Sequence, residues 1–67
     1  NMNIIINGTA SEYPDKLSAA ELLRALGLAD KRLALEINEE IVSRSTYDSH
    51  FIHPGDRVEI VHAIGGG

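Results

Sequence analysis

Ser18-Ala19-Ala20-Glu21-Leu22-Leu23-Arg24-Ala25-Leu26-Gly27 reads as one short helix with both of its ends specified. Ser18 suits the N-cap, and Glu21 three residues later completes a capping box, in which each side chain bonds the other residue's backbone N–H. Leu17 before the cap and Leu22 after it are placed for a hydrophobic staple. Ala19, Leu22, Leu23 and Leu26 recur at i, i+3, i+4 and i+7, one apolar stripe. Gly27 stops the helix as its C′ residue. The stripe needs an apolar surface to cover it, and the rest of the chain offers strands.

Upstream, Met2-Asn3-Ile4-Ile5-Ile6 is apolar and β-branched, as a strand requires. Asn7-Gly8 is a two-residue hairpin signal, because both residues tolerate φ > 0. Thr9 to Tyr13 then returns as a second strand, broken by Pro14 and Asp15. Downstream, Leu33, Leu35 and Ile37 alternate with Ala34 and Glu36. Asn38-Glu39-Glu40 turns the chain, and Ile41-Val42 comes back as a short strand. Ser45 to His50 is irregular, with room for a single helical turn. His53-Pro54-Gly55-Asp56 has Pro then Gly at its central positions, as a type II turn requires. Arg57 to His62 is the last strand and runs directly into Ala63-Ile64-Gly65-Gly66-Gly67.

The expected order is β-β-α-β-β-β, an α+β domain with a mixed sheet of four to five strands packed on one helix. Its core should draw on Ile4, Ile6, Leu22, Leu23, Leu26, Leu33, Leu35, Ile37, Ile52, Val58 and Ile60. Alternation sends Ile5, Ala34, Val61 and Ala63 to the face away from the helix, where they are expected to form a docking patch. Residues 1–62 then make the domain and 63–67 a flexible tail.

The composition excludes several functions. At 67 residues and net charge -4, the chain lacks the clustered Lys/Arg of a nucleic-acid binder. No apolar run approaches the ~20 residues of a membrane span, and no signal-peptide pattern opens the sequence. Asn1 reads as a remnant ahead of a natural start at Met2, and a cytoplasmic location is expected. With no cysteine, there is no disulfide, thiolate metal site or thiol nucleophile, so any sulfur must be brought to the chain. His50 and His53 flank a loop whose spacing is not fixed as on a helix, His62 lies elsewhere, and no metal motif joins them. Ser43, Ser45, Thr46, Asp48, Ser49 and His50 include the residue types of a hydrolase triad but crowd one polar loop without a nucleophile elbow. No enzyme activity, bound cofactor or metal is therefore expected.

The glycine run contributes nothing to a core and is costly to order. Without Cβ atoms, however, Gly65, Gly66 and Gly67 let another protein's backbone approach closely, and a narrow channel would admit them together with Ile64. The carboxylate of Gly67 becomes an unhindered electrophile once activated. Gly67 is thus the candidate working group, with Ile64, Gly65 and Gly66 as the segment that enters partner active sites.

The strand order, the Gly-Asp turn before the last strand and the Gly-Gly end resemble the ubiquitin-like, or β-grasp, fold. Within it, Met2 to Gly8, Ser18 to Leu26, Leu35 to Val42, Arg44, Pro54 to Val61 and Ile64 to Gly67 resemble the ThiS family, the sulfur carriers of thiamine thiazole biosynthesis. The resemblance spans nearly the whole chain and is weakest over Ser45 to His53. It implies that a ThiF-like adenylyltransferase uses ATP to adenylate Gly67. Sulfur relayed as persulfide from a cysteine desulfurase then displaces AMP and leaves a thiocarboxylate, which a ThiG-like thiazole synthase consumes. Adenylation is needed because a carboxylate is a poor electrophile, and the covalent intermediate divides one hard step into two easier ones. Arg44 either holds a partner's carboxylate or pairs locally. The same fold and tail also fit the small subunit of molybdopterin synthase or a ubiquitin-like protein modifier. An RNA-associated β-grasp module is an alternative of a different class.

Overall fold

The computed structural model describes residues 1–62. The capping box forms as the sequence specifies. Helix α1 spans Ala19–Ala25 with Ser18 as N-cap; Glu21 N donates to Ser18 Oγ at 3.1 Å, and Ser18 N donates to the Glu21 carboxylate at 2.9 Å. The Ser18 backbone N–H foremost, then the Ser18 side chain and more weakly the Arg24 charge, hold the Glu21 carboxyl below its ordinary value. At the other end Gly27 adopts φ +74°, where only glycine is at ease. Gly27 N then bonds Arg24 O and Leu28 N bonds Leu23 O, the paired bonds of a Schellman ending.

Strands β1 (Met2–Ile6), β2 (Thr9–Tyr13), β4 (Leu33–Ile37), β5 (Glu40–Val42) and β7 (Arg57–His62) form one sheet in the order β2-β1-β7-β4-β5. The β1–β7 pair is parallel and the other pairs are antiparallel, so the sheet is mixed. Both short hairpins place their central residues at positive φ, Asn7 and Gly8 in one, Asn38 and Glu39 in the other, as two-residue turns with the right twist require. Gly55 at φ +84° completes the expected turn before β7.

The inner sheet face and α1 bury Ile4, Leu35, Ile37, Val58, Ile60, Leu22 and Leu23 together. The sequence-based core is correct for these and for Ile52, whereas Ile6 and Leu33 are half-buried at its margin. Leu26 is a correction: it is 36% exposed. The helix ends at Ala25, so the fourth position of the stripe falls on the C-cap, and Leu28 folds back after Gly27 to pack against the core instead. Ala19 of the helical stripe and Leu17 of the staple are buried as well, and Met2 and Val42 join the core although the strand patterns did not single them out.

The expected order omitted two elements. Strands β3 (Leu17–Ser18) and β6 (Phe51–Ile52) pair antiparallel in a small second sheet. Two-residue strands carry no periodicity and exist only because folding brings them together. Ala19 N to His50 O at 2.8 Å and Ala20 N to Tyr47 O at 3.0 Å extend this seam along the start of α1. The segment after β5 holds a short 3₁₀ helix, Arg44–Thr46, where a helical turn was expected from Ser45.

Candidate functional site

The last described residues, Val61 and His62, lie in the central strand of the sheet, paired with Ala34 and Leu33. The proposed working group Gly67, the threading residues Ile64, Gly65 and Gly66, and Ala63 lie outside the described residues. The structure therefore defines the platform from which residue 63 departs.

Two asparagines fasten that platform. Asn7, at φ +47° in the β1–β2 turn, accepts from Ile60 N through Oδ1 at 2.8 Å. Its Nδ2 donates to Ile60 O at 3.3 Å, and its backbone N donates to Val58 O at 2.9 Å. The amide side chain thus continues the sheet pairing beyond the end of β1. On the other flank, Asn38 Oδ1 accepts from Arg57 N at 3.0 Å and Asn38 N donates to Arg57 O at 2.8 Å. Asn38 Nδ2 reaches Asp56 Oδ1 at 3.0 Å, while Asp56 Oδ2 accepts from His53 N at 2.8 Å. Asp56 is committed to its turn, as expected. Sequence reading found both asparagines as turn residues. It did not find the clasp, because the partners are far along the chain.

The outer sheet face can be read from the register. Ala34 and Val61 are direct cross-strand partners, and both are exposed. The next outward pair is Glu36 opposite Glu59, with Ile41 beyond Glu36 on β5. Like charges directly opposite are unfavourable in a sheet, and no cation lies within 4 Å of either carboxylate among the described residues. Ile41 is 78% exposed and was not among the expected patch residues; a short edge strand gave no reliable facing.

The expected four-residue patch is only partly assembled. Ile5 pairs with Arg57, four residues before Val61 on β7, which separates it from Val61 by about 13 Å along the strand. Ile5 is also half-buried. Arg44 belongs to the other side of the molecule, in a cleft with Ala20, Leu23 and Arg24 of α1. It has no carboxylate within 4 Å among the described residues, which removes the local ion pair as its role there.

The histidines do not converge. His53 lies beside Asp56, with Nδ1 at 3.9 Å from Oδ2, while His50 precedes β6 and His62 ends β7. No group of three or more His, Cys, Asp or Glu among the described residues is placed to hold a metal ion. No described helix is long and apolar enough to cross a membrane.

Comparison with known proteins points one way. Residues 4–67 match the model of the ThiS family. The chain is 38% identical over 66 residues to a thiazole synthase of Paramagnetospirillum magneticum, covering 98% of this chain but 20% of that protein. It thus spans about a fifth of the length of that relative, and the same holds for a thiazole synthase of Magnetococcus marinus. It is 32% identical to the sulfur carrier protein ThiS of Escherichia coli, covering 98% of this chain and all of that one. The crystal structure of the thiamine biosynthesis protein ThiS from Geobacter metallireducens superposes with a TM-score of 0.86 at 35% identity, covering 98% of this chain and 100% of that one. Family match, sequence similarity and fold agree, and the chain belongs to the ThiS family.

Proposed function

We propose that this chain is a sulfur carrier for thiazole formation, a co-substrate of other enzymes, with Gly67 as the acyl group that carries the sulfur. The observation that supports it is a family match that runs through the glycine run to residue 67. The thiazole route is preferred to the molybdopterin route because two thiazole synthases contain a stretch 38% identical to this chain.

In this mechanism an adenylyltransferase converts the Gly67 carboxylate and ATP to an acyl adenylate and pyrophosphate. The terminal sulfur of a persulfide attacks the acyl carbon and AMP leaves. A second thiol then takes up the other sulfur as a disulfide and releases the thiocarboxylate for the thiazole synthase. Partner proteins supply the bases, metal and oxyanion stabilisation; the carrier supplies the acyl group and a rigid handle. Residues 63–67 act as a tail that threads the active site, and the clasped strand β7 sets where it starts.

The docking surface is centred on Ala34 and Val61, with Ile41 at one margin and the Glu36–Glu59 pair between them. It suits a partner surface that combines apolar side chains with Arg or Lys, which would relieve the repulsion of the paired carboxylates. Ile5 contributes at most at the far margin.

Deletion of Gly67 tests the carrier reading. The variant should keep its fold and fail to gain the about 16 Da that marks oxygen replaced by sulfur at an acyl carbon, when supplied with ATP, adenylyltransferase and persulfide donor. A folded deletion variant that still gains this mass refutes it. Extension by one residue should block loading too, since the carboxylate moves by about 3.5 Å.

A further inference from the structure

A second, chemically different surface lies on the helix side. A cleft of about 220 Å³ is lined by Ala20, Leu23, Arg24, Arg44, Tyr47 and Asp48, with Ala29 at its margin. Arg24 comes from the last turn of α1 and Arg44 from the start of the 3₁₀ helix. These elements are joined by the bond from Ala20 N to Tyr47 O at 3.0 Å, and Tyr47 packs half-buried against the core. The 3₁₀ turn is itself held by Thr46 N and Thr46 Oγ1, which both donate to Ser43 O. Two arginines are therefore brought to one cleft on elements that are hydrogen-bonded to each other.

Neither arginine has a carboxylate within 4 Å among the described residues. Glu21, one turn before Arg24, is the natural helical partner; its carboxylate is engaged first by the backbone N–H of Ser18 and feels the Arg24 charge only as a lesser, longer-range influence. Helix-end placement accounts for Arg24 alone; it does not account for a second arginine lining the same cleft in a chain of net charge -4. The lining itself holds two arginines and one carboxylate, Asp48, an excess of one cation (two minus one). That balance suits a monoanion better than a phosphate dianion.

We propose that this cleft seats a glutamate or aspartate side chain of a partner protein, its carboxylate bridging Arg24 and Arg44 and its stem lying on Leu23 and Ala29. The identity of the partner as an enzyme of the sulfur-transfer cycle rests on the carrier reading; the carboxylate site does not. The molecule then has two faces of opposite electrostatic character, an acidic and apolar sheet face and a cationic cleft behind the helix. Two enzymes could recognise the same carrier by different sides.

The test is a nitrogen-15 NMR titration of the full chain at fixed ionic strength. The probes are acetyl-Leu-Glu-Gly-amide, the same peptide with Gln for Glu, and inorganic phosphate. The Glu peptide should shift the amides of Arg24, Arg44 and Tyr47 along one saturable curve, with the Gln peptide inert and phosphate weaker. The double variant R24Q/R44Q should bind the Glu peptide roughly tenfold or more weakly, since charge-assisted bonds are lost. If that variant does not fold, R44K serves: it keeps the charge and loses the planar fork, so binding should weaken while the fold persists. Absence of saturable shifts, an equal response to the Gln peptide, a stronger response to phosphate, or unaltered binding in the folded variants overturns the proposal. No ATP, sulfur donor or partner enters this titration, so its failure is distinct from failure of Gly67 loading.

Discussion

Replacing Asn7 by Gly should unfasten the strand that precedes the tail without disturbing the hairpin turn. Asn7 sits at φ +47°, and glycine adopts that conformation without strain. The substitution removes only the bond that Ile60 N donates to Asn7 Oδ1 (2.8 Å) and the bond that Asn7 Nδ2 donates to Ile60 O (3.3 Å). Ile60 is 7% exposed, so water reaches its freed N–H poorly. An unsatisfied buried group costs about 1–3 kcal/mol, and the larger unfolded-state entropy of glycine adds about 0.5 kcal/mol. The total, roughly 1.5–3.5 kcal/mol, is a large share of the stability of a small domain. Urea titration would measure it directly, and each kcal/mol should lower Tm by about 4–8 °C. Hydrogen exchange at Ile60 provides the site-specific readout: its amide should lose protection more than that of Leu35 on the neighbouring strand. Asn7→Asp keeps an acceptor for Ile60 N and should cost less than Asn7→Gly. A loss within about 0.5 kcal/mol, the glycine entropy alone, with Ile60 protection unchanged, would mean the clasp does not hold β7.

Four further expectations concern the helix cap, a strained turn and the outer face. Ser18→Ala should cost about 0.5–2 kcal/mol by thermal melting, since Glu21 N loses its acceptor; an unchanged Tm would remove the cap from the account of helix stability. Because the folded-state pKa of Glu21 is lowered, its contribution is complete above the ordinary glutamate range and is lost as pH falls through the depressed folded value. Glu21→Gln should therefore flatten the acid-side decline of Tm against pH, and parallel profiles would contradict this. Glu39 holds φ +70° without being glycine; relief of about 1–2 kcal/mol against glycine's cost of about 0.5–1 kcal/mol predicts that Glu39→Gly gains roughly half a kcal/mol, and measured destabilisation would show that Glu39 makes a compensating interaction. Val61→Asp places a third carboxylate beside Glu59 and Glu36 on an exposed strand; it should fold, with stability changed by about 1 kcal/mol or less, and weaken binding of the adenylyltransferase or the thiazole synthase roughly tenfold or more. Unchanged calorimetric affinity for both enzymes would move the docking surface elsewhere.

Much of this protein is readable without coordinates because it rests on local rules. The capping box at Ser18 and Glu21, the stop at Gly27, the turns at Asn7-Gly8 and Pro54-Gly55 and the alternation of Leu33 to Ile37 depend on neighbours within a few residues. Period and turn chemistry therefore announce them, and the glycine run with its preceding strand points to the carrier family. Leu26 shows where local reading stops: its spacing belongs to the stripe, yet the helix ends one residue earlier and Leu28 takes the place.

Tertiary structure decided everything that depends on which strand lies beside which. The parallel pairing of β1 with β7 separates Ile5 from Val61 while the antiparallel pairing of β4 with β7 brings Ala34 to it. The same topology sets Glu36 against Glu59, lets Asn7 reach Ile60 across the fold, and draws Arg24 and Arg44 into one cleft. These contacts join residues far apart in sequence, and no local periodicity encodes such a distance. The chain's own pattern determined the helix and the longer strands; packing of those elements created the β3–β6 pair and determined which side chains share a surface.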